Sequence, residues 1–78
     1  MTPQGRPEKH SLTLRGHRTS VSLERAFWDA FREIARAEGK SLNALAAEID
    51  EARGAETGLA SAIRMYVLAW RQTHSGHG

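Results

Sequence analysis

Apolar residues recur at helical spacing through most of the chain, and helix-ending residues separate the stripes. Gly39 and Gly54 each follow a stripe at the position where a helix commonly ends in a left-handed residue. Ser41 and Thr57 precede the next stripes and are candidate N-caps. The predicted helices cover residues 24–38, 42–53 and 58–72.

The segment before the first helix is β-like. Residues 11–23 are rich in Leu, Thr, Ser and Val and lack helical spacing. Before Gly16 the apolar residues occupy even positions (Leu12 and Leu14), and after it they occupy odd positions (Val21 and Leu23). This change of parity indicates a break at Gly16. We expect a strand over residues 18–23 and, over residues 12–15, a lead-in whose pairing the pattern leaves open. The predicted fold class is mainly α with one short β-strand.

Both ends of the chain differ in composition from the middle. Residues 1–10 contain both prolines and little apolar material, which predicts a flexible basic arm. Residues 73–78 predict a disordered tail, leaving one domain over residues 11–72. A chain of 78 residues is too short for two hydrophobic cores.

A single strand needs a partner, because both of its edges carry unpaired backbone groups. The simplest partner is the same strand of a second copy, which predicts an intermolecular two-stranded antiparallel ribbon in a homodimer. The competing arrangement is an internal hairpin, in which residues 12–15 fold back on residues 19–23 through Gly16 and His17.

Charge and composition narrow the function. The formal net charge is +2, and the first 23 residues carry four bases against one acid, which favours a polyanionic partner. Cysteine is absent, which suits a reducing compartment. The longest apolar run, residues 65–70, is far shorter than a membrane span. We therefore expect a cytoplasmic protein that does not enter a membrane.

The order strand, helix, Gly39-Lys40-Ser41-Leu42-Asn43, helix resembles the ribbon-helix-helix family of bacterial DNA-binding proteins, which includes the Arc and MetJ repressors. The resemblance covers residues 18–53. The stretch of residues 14–24, with Phe27 and Trp28 after it, is similar to a subgroup of small bacterial ribbon-helix-helix proteins. The third helix is an addition to the short family pattern.

This resemblance implies that the paired strands enter the major groove of double-stranded DNA, which admits a two-stranded β-ribbon. The base-reading positions would be Arg18, Ser20 and Ser22, which also form the polar face of the predicted strand. Arg15 and His17 are additional candidates for DNA contacts, although the parity change leaves their direction undetermined.

The resemblance also implies a phosphate site at the start of the second helix, where free amides and the helix dipole favour an anion. A lysine and an asparagine add a charge and a side-chain donor there. The candidate phosphate-binding residues are Lys40, Ser41, Leu42 and Asn43.

Catalytic and metal-binding patterns are missing from the sequence. The histidines lie at His10, His17, His74 and His77, where nothing fixes them against a nucleophile or a further ligand. We expect no enzyme, no cofactor and no metal site.

The sequence therefore predicts a homodimeric DNA-binding protein that regulates transcription. The alternative is a small helical adaptor or antitoxin-like module. In that case Met65, Leu68 and Trp70 of the third helix would contact a protein partner. In either case the third helix could also mediate association of further copies of the chain.

Overall fold

A computed structural model describes residues 6–74 of the chain. Within these residues, a two-stranded antiparallel sheet is followed by three helices. This order confirms a mainly helical fold with a ribbon and an additional C-terminal helix. The elements are β1 (Pro7–Leu14), β2 (His17–Glu24), α1 (Arg25–Ala37), α2 (Leu42–Ala52) and α3 (Leu59–His74).

β1 and β2 form a hairpin with a two-residue loop. Leu14 lies opposite His17, so the loop consists of Arg15 and Gly16. The φ angles of these two residues are 51° and 86°. Positive φ at both central positions is what a type I′ turn requires, and the twist of this turn matches that of the paired strands.

The hairpin corrects the prediction of one strand paired with a second chain. Each residue of β2 lies opposite a residue of β1 in the same chain. The internal hairpin is therefore the arrangement observed, but β1 is longer than residues 12–15, and the turn is at Arg15 and Gly16 instead of Gly16 and His17. A two-residue loop brings even positions of β1 and odd positions of β2 to one face. The parity change thus marks two strands, not a break in one.

Contacts with α1 hold the first half of β1 in place. The buried Trp28 indole donates a hydrogen bond to the Glu8 carbonyl (2.9 Å), and Arg25 Nε donates to Glu8 Oε2 (3.0 Å). The His10 ring meets the Trp28 ring edge-on at 4.6 Å. Residues 7–10 are therefore strand, which corrects the expected arm there; residues 1–5 lie outside the described residues.

The end of α1 and the N-cap of α2 are as predicted. α1 is followed by Gly39 with a φ of 71°. The Ser41 hydroxyl accepts a hydrogen bond from the Ala44 amide at 3.0 Å, which confirms the N-cap of α2. In α1, Trp28 is fully buried and Phe27 half-buried, the reverse of the predicted order. The rest of the predicted stripe is buried, at Ala30, Phe31, Ile34 and Ala35.

α3 differs from its prediction at both ends. The Gly58 carbonyl accepts a hydrogen bond from the Ala62 amide, so Gly58 and not Thr57 is at the N-cap position. α3 extends to His74, so residues 73–74 of the expected tail are helical, and residues 75–78 lie outside the described residues.

The inner face of the ribbon packs against all three helices. Its aliphatic residues are Leu12, Leu14, Val21 and Leu23, and all are buried. α2 contacts β1, α3 contacts β2, and α1 contacts β2 and both other helices. Within residues 6–74 the core contains no buried polar or charged residue. None of the helices in this range is long and apolar enough to span a bilayer.

Candidate nucleic-acid interface

The ribbon has a polar face directed away from the helices, which we call the outer face. It alternates with the buried inner face along both strands, as a half-buried sheet requires. Five of its side chains are exposed, and Ser22 is half-buried. We use the name outer face for the cross-strand pairs Lys9 and Ser22, Ser11 and Ser20, and Thr13 and Arg18; the pair Pro7 and Glu24 has the same parity at the open end of the ribbon.

The outer face carries two bases whose charge no neighbouring acid cancels. Within residues 6–74, neither Lys9 nor Arg18 forms a salt bridge. Arg18 is exposed beside Thr13, and Lys9 is exposed at the other end of the ribbon. These two side chains are free to bind an external anion or the edge of a nucleic-acid base.

Arg15 and His17 lie outside the outer face. Arg15 is in the turn, where its guanidinium forms a salt bridge with Glu51 at the end of α2. His17 has the parity of the inner face and is exposed only because it lies next to the turn. The structure therefore gives the two additional candidates positions at the edge of the outer face.

The start of α2 lies next to the outer face. Asn43 Oδ1 accepts a hydrogen bond from the Thr13 backbone amide at 3.1 Å, so the predicted phosphate site lies beside the turn end of β1. Ser41 and Asn43 are exposed there, and Leu42 is half-buried. The structure thus places Asn43 beside Thr13, whose cross-strand partner is Arg18.

Lys40 is paired within the chain. Its Nζ atom lies 2.8 Å from Glu48 Oε1, and this hydrogen bond raises the pKa of Lys40 above its ordinary value. A phosphate would have to compete with Glu48 for this ammonium group. The cationic contribution expected at the start of α2 is therefore partly cancelled.

Helix side chains contact the outer edges of both strands. Asn43 occupies the Thr13 amide on β1, and Arg64 of α3 approaches the Ser22 carbonyl of β2 at 3.5 Å. Arg64 also donates to both carboxylate oxygens of Glu24, at 2.9 and 3.2 Å, and thereby lowers the pKa of Glu24. These contacts occupy one backbone group on each edge, and a further strand would have to displace them. The ribbon has two strands.

Reasoning from the sequence missed the contribution of β1 to this surface. The sequence predicts that Lys9 belongs to the arm and Thr13 to a lead-in without a defined partner, and it gives Ser11 no role. The parity change across Arg15 and Gly16 was the available signal, since a two-residue turn would have paired Ser11 with Ser20 and Thr13 with Arg18.

Two histidines pack on tryptophan rings, and His17 is exposed beside the turn. His74 stacks on Trp70 with ring centroids 3.9 Å apart, and His10 packs on Trp28. Within the part of the chain that the structure describes, no group of three or more His, Cys, Asp or Glu side chains could hold a metal ion. His77 lies outside that part.

An exposed polar ribbon, a helix, a glycine-containing turn and a second capped helix define the ribbon-helix-helix architecture. The family model described as "Ribbon-helix-helix domain" matches residues 7–71, which is most of the chain. The chain belongs to this family, whose domains are typically DNA-binding modules without catalytic activity. Searches of curated proteins and of solved structures gave no match.

Proposed function

We propose that the protein is a transcriptional regulator that reads DNA by placing the outer face of its ribbon in the major groove. The observation that carries the proposal is the outer face itself: a two-stranded ribbon with exposed hydroxyls and two uncancelled positive charges. The major groove admits a ribbon of this width. Arg18 presents two donors that suit guanine O6 and N7, and Ser20 and Ser22 can donate or accept hydrogen bonds.

Phosphate contacts at the start of α2 would fix the register of the ribbon on the duplex. The first amides of a helix point outward without intrahelical partners and favour an anion. The adjacency of Asn43 to Thr13 supports this assignment, because a backbone phosphate flanking the groove would then lie beside the base-reading face. Arg15 and His17, at the turn, would contact the neighbouring phosphate backbone of the DNA.

Homodimerisation is a separate part of the proposal, since the strands no longer require a second chain. Met65 and Leu68 are 64% and 56% exposed on α3 and offer an apolar surface for a second copy. A dimer joined through α3 would place its two ribbons on adjacent DNA sites. We place the protein in the bacterial cytoplasm, where its DNA would be.

The alternative function is an adaptor or antitoxin-like module that holds a protein partner on α3. One observation favours it: Met65 borders a largely apolar cleft between α2 and α3, with Ile49 and Tyr66 in its lining. In that case the bases of the outer face would have no ligand.

Titration of random-sequence duplex at low salt separates the two functions. We expect binding whose affinity falls with a log–log slope near −0.9 for each phosphate neutralised. Arg18→Ala should lose about 1–3 kcal/mol on a preferred site and relax base preference, whereas Lys40→Ala should weaken all sequences equally. Arg36→Ala, which removes an exposed base from α1, is the matched control. Absence of binding at every salt concentration would contradict the regulator and favour the adaptor.

A further inference from the structure

The two strands of the ribbon are copies of one sequence pattern. Residues 9–14 read KHSLTL, and residues 18–23 read RTSVSL, nine positions later. Each position keeps its chemistry: a base, a polar residue, a serine, an aliphatic residue, a hydroxyl and a leucine. Both copies place the base, the serine and the hydroxyl on the outer face.

The register relates these copies by a local two-fold axis. Ser11 lies opposite Ser20 at the centre of the ribbon. A two-fold rotation between these serines carries Lys9 to the position of Arg18 and Thr13 to the position of Ser22. The inner face obeys the same relation, because Leu12 maps onto Val21 and Leu14 onto Leu23. The symmetry that two identical strands would have between chains is thus present within one.

We propose that a single chain supplies both halves of a two-fold reading surface, and that this surface recognises a short, nearly palindromic DNA element. Lys9, Ser11 and Thr13 would read one half of the element, and Arg18, Ser20 and Ser22 the other. The inference rests on the proposed DNA-binding function. It adds three residues to the reading surface and assigns each strand to a half-site, because the symmetry of a DNA site mirrors that of the protein.

The geometry sets the spacing of the two strongest contacts. Lys9 lies opposite Ser22, four residues along β2 from Arg18. At about 3.3 Å per residue this offset is roughly 13 Å, which corresponds to about four base-pair steps. Both lysine and arginine suit guanine in the major groove. We therefore expect two guanines on opposite strands, one in each half-site, separated by about four steps.

The contacts that hold β1, and the Arg64 contact at the edge of β2, support reading by one chain. A ribbon built from the β2 strands of two copies would have to displace β1, together with the Glu8 contacts to Trp28 and Arg25. It would also have to pass Arg64 at the outer edge of β2. The hairpin already has the width that the groove accepts.

Selection of bound sequences from a random duplex library tests this assignment. The proteins are the full chain and its Lys9→Ala, Arg18→Ala, Lys9→Arg and Arg36→Ala variants. We expect each alanine variant of the ribbon to relax one half-site only, with a roughly 5- to 150-fold loss of affinity for the wild-type element. Lys9→Arg should sharpen the weaker half-site and make the element more symmetric. Arg36→Ala should select the wild-type element.

The outcomes separate this inference from the proposed function. If Arg18→Ala relaxes both half-sites equally and the Lys9 variants select the wild-type element, two β2 strands read the DNA and the single-chain ribbon is wrong, while DNA binding stands. If the wild-type chain enriches no sequence and binds no duplex, the proposed function itself is wrong. Circular dichroism verifies that each variant is folded, which we expect because both side chains are exposed.

Discussion

The basic side chains of the ribbon's outer face lack acidic partners, whereas most basic side chains of the helices have them. On the helical side, acids lie within salt-bridge distance of most bases, as in the pairs Arg25–Glu8, Arg32–Asp29, Lys40–Glu48, Arg64–Glu24 and Arg71–Glu33. On the outer face, Lys9 and Arg18 have no such partner within residues 6–74. Exposed pairs add little stability, so their main effect is to cancel charge. A net charge of +2 therefore understates how strongly positive charge is concentrated on the ribbon.

The two faces of the ribbon differ in what they contribute to folding, and Leu23→Ala tests this with the largest expected effect. Leu23 is fully buried between β2 and the helices. Truncating a buried leucine removes packing and leaves a cavity, so we expect a loss of about 2–5 kcal/mol in the free energy of unfolding. Urea denaturation monitored by circular dichroism measures it.

Leu68→Ala is the matched control, because it makes the same chemical change on an exposed part of α3. We expect a change within about 0.5 kcal/mol. A loss as large as that of Leu23→Ala, growing with protein concentration, would show that α3 is buried against a second copy.

The sequence predicts the helices well because their signals are local. Ser41 caps α2 and Gly39 follows α1 in a left-handed conformation, and both features depend only on neighbouring residues. The start of β1 is different. Glu8 and His10 occupy inner positions where the pattern calls for apolar residues, and both are half-buried against Trp28, about twenty positions away. No local pattern contains that contact.

The sequence likewise predicts only those features of the candidate site that depend on neighbouring residues. Strand alternation alone places Arg18 among the outward residues, and the structure agrees. The sequence does not predict that Arg15 and Lys40 are paired, because Glu51 and Glu48 approach them only when α2 packs against the ribbon. Sequence patterns thus indicate the direction of a side chain more reliably than its electrostatic partner.

Gly16→Ala tests whether the turn stabilises the pairing of the two strands. We expect it to cost less unfolding free energy than Leu23→Ala. Gly16 has a φ of 86°, and nothing lies near a Cβ atom added there. The cost is therefore conformational, about 1–2 kcal/mol of unfolding free energy. Gly54→Ala is the control, because that site is equally open and its φ is not positive. Equal losses in the two variants would contradict the assigned role of the turn.

Glu48→Gln tests the contrast between paired and unpaired basic side chains, and its expected effect, a change in DNA affinity, is smaller still. The change removes the partner of Lys40 and frees its charge at the start of α2. We expect tighter binding to every duplex, by less than about 1 kcal/mol, and a steeper salt dependence. Fluorescence anisotropy at several salt concentrations measures both. Glu33→Gln makes the same charge change on α1 and should alter binding less. Equal gains would indicate that only net charge matters.

The smallest effect we predict is a loss of ribbon stability in acid. The hydrogen bond from Arg25 lowers the pKa of Glu8, and that from Arg64 lowers the pKa of Glu24. A carboxyl whose pKa is lower in the folded chain stabilises the fold above the pKa it has when unfolded, about 4.3 for glutamate. That contribution is lost as the pH falls through the folded pKa. The free energy of unfolding should therefore decrease on acidification below about pH 4. Glu8→Gln should flatten this decrease, because glutamine does not titrate, and an unchanged acid dependence in that variant would show that Arg25 does not hold β1 through Glu8.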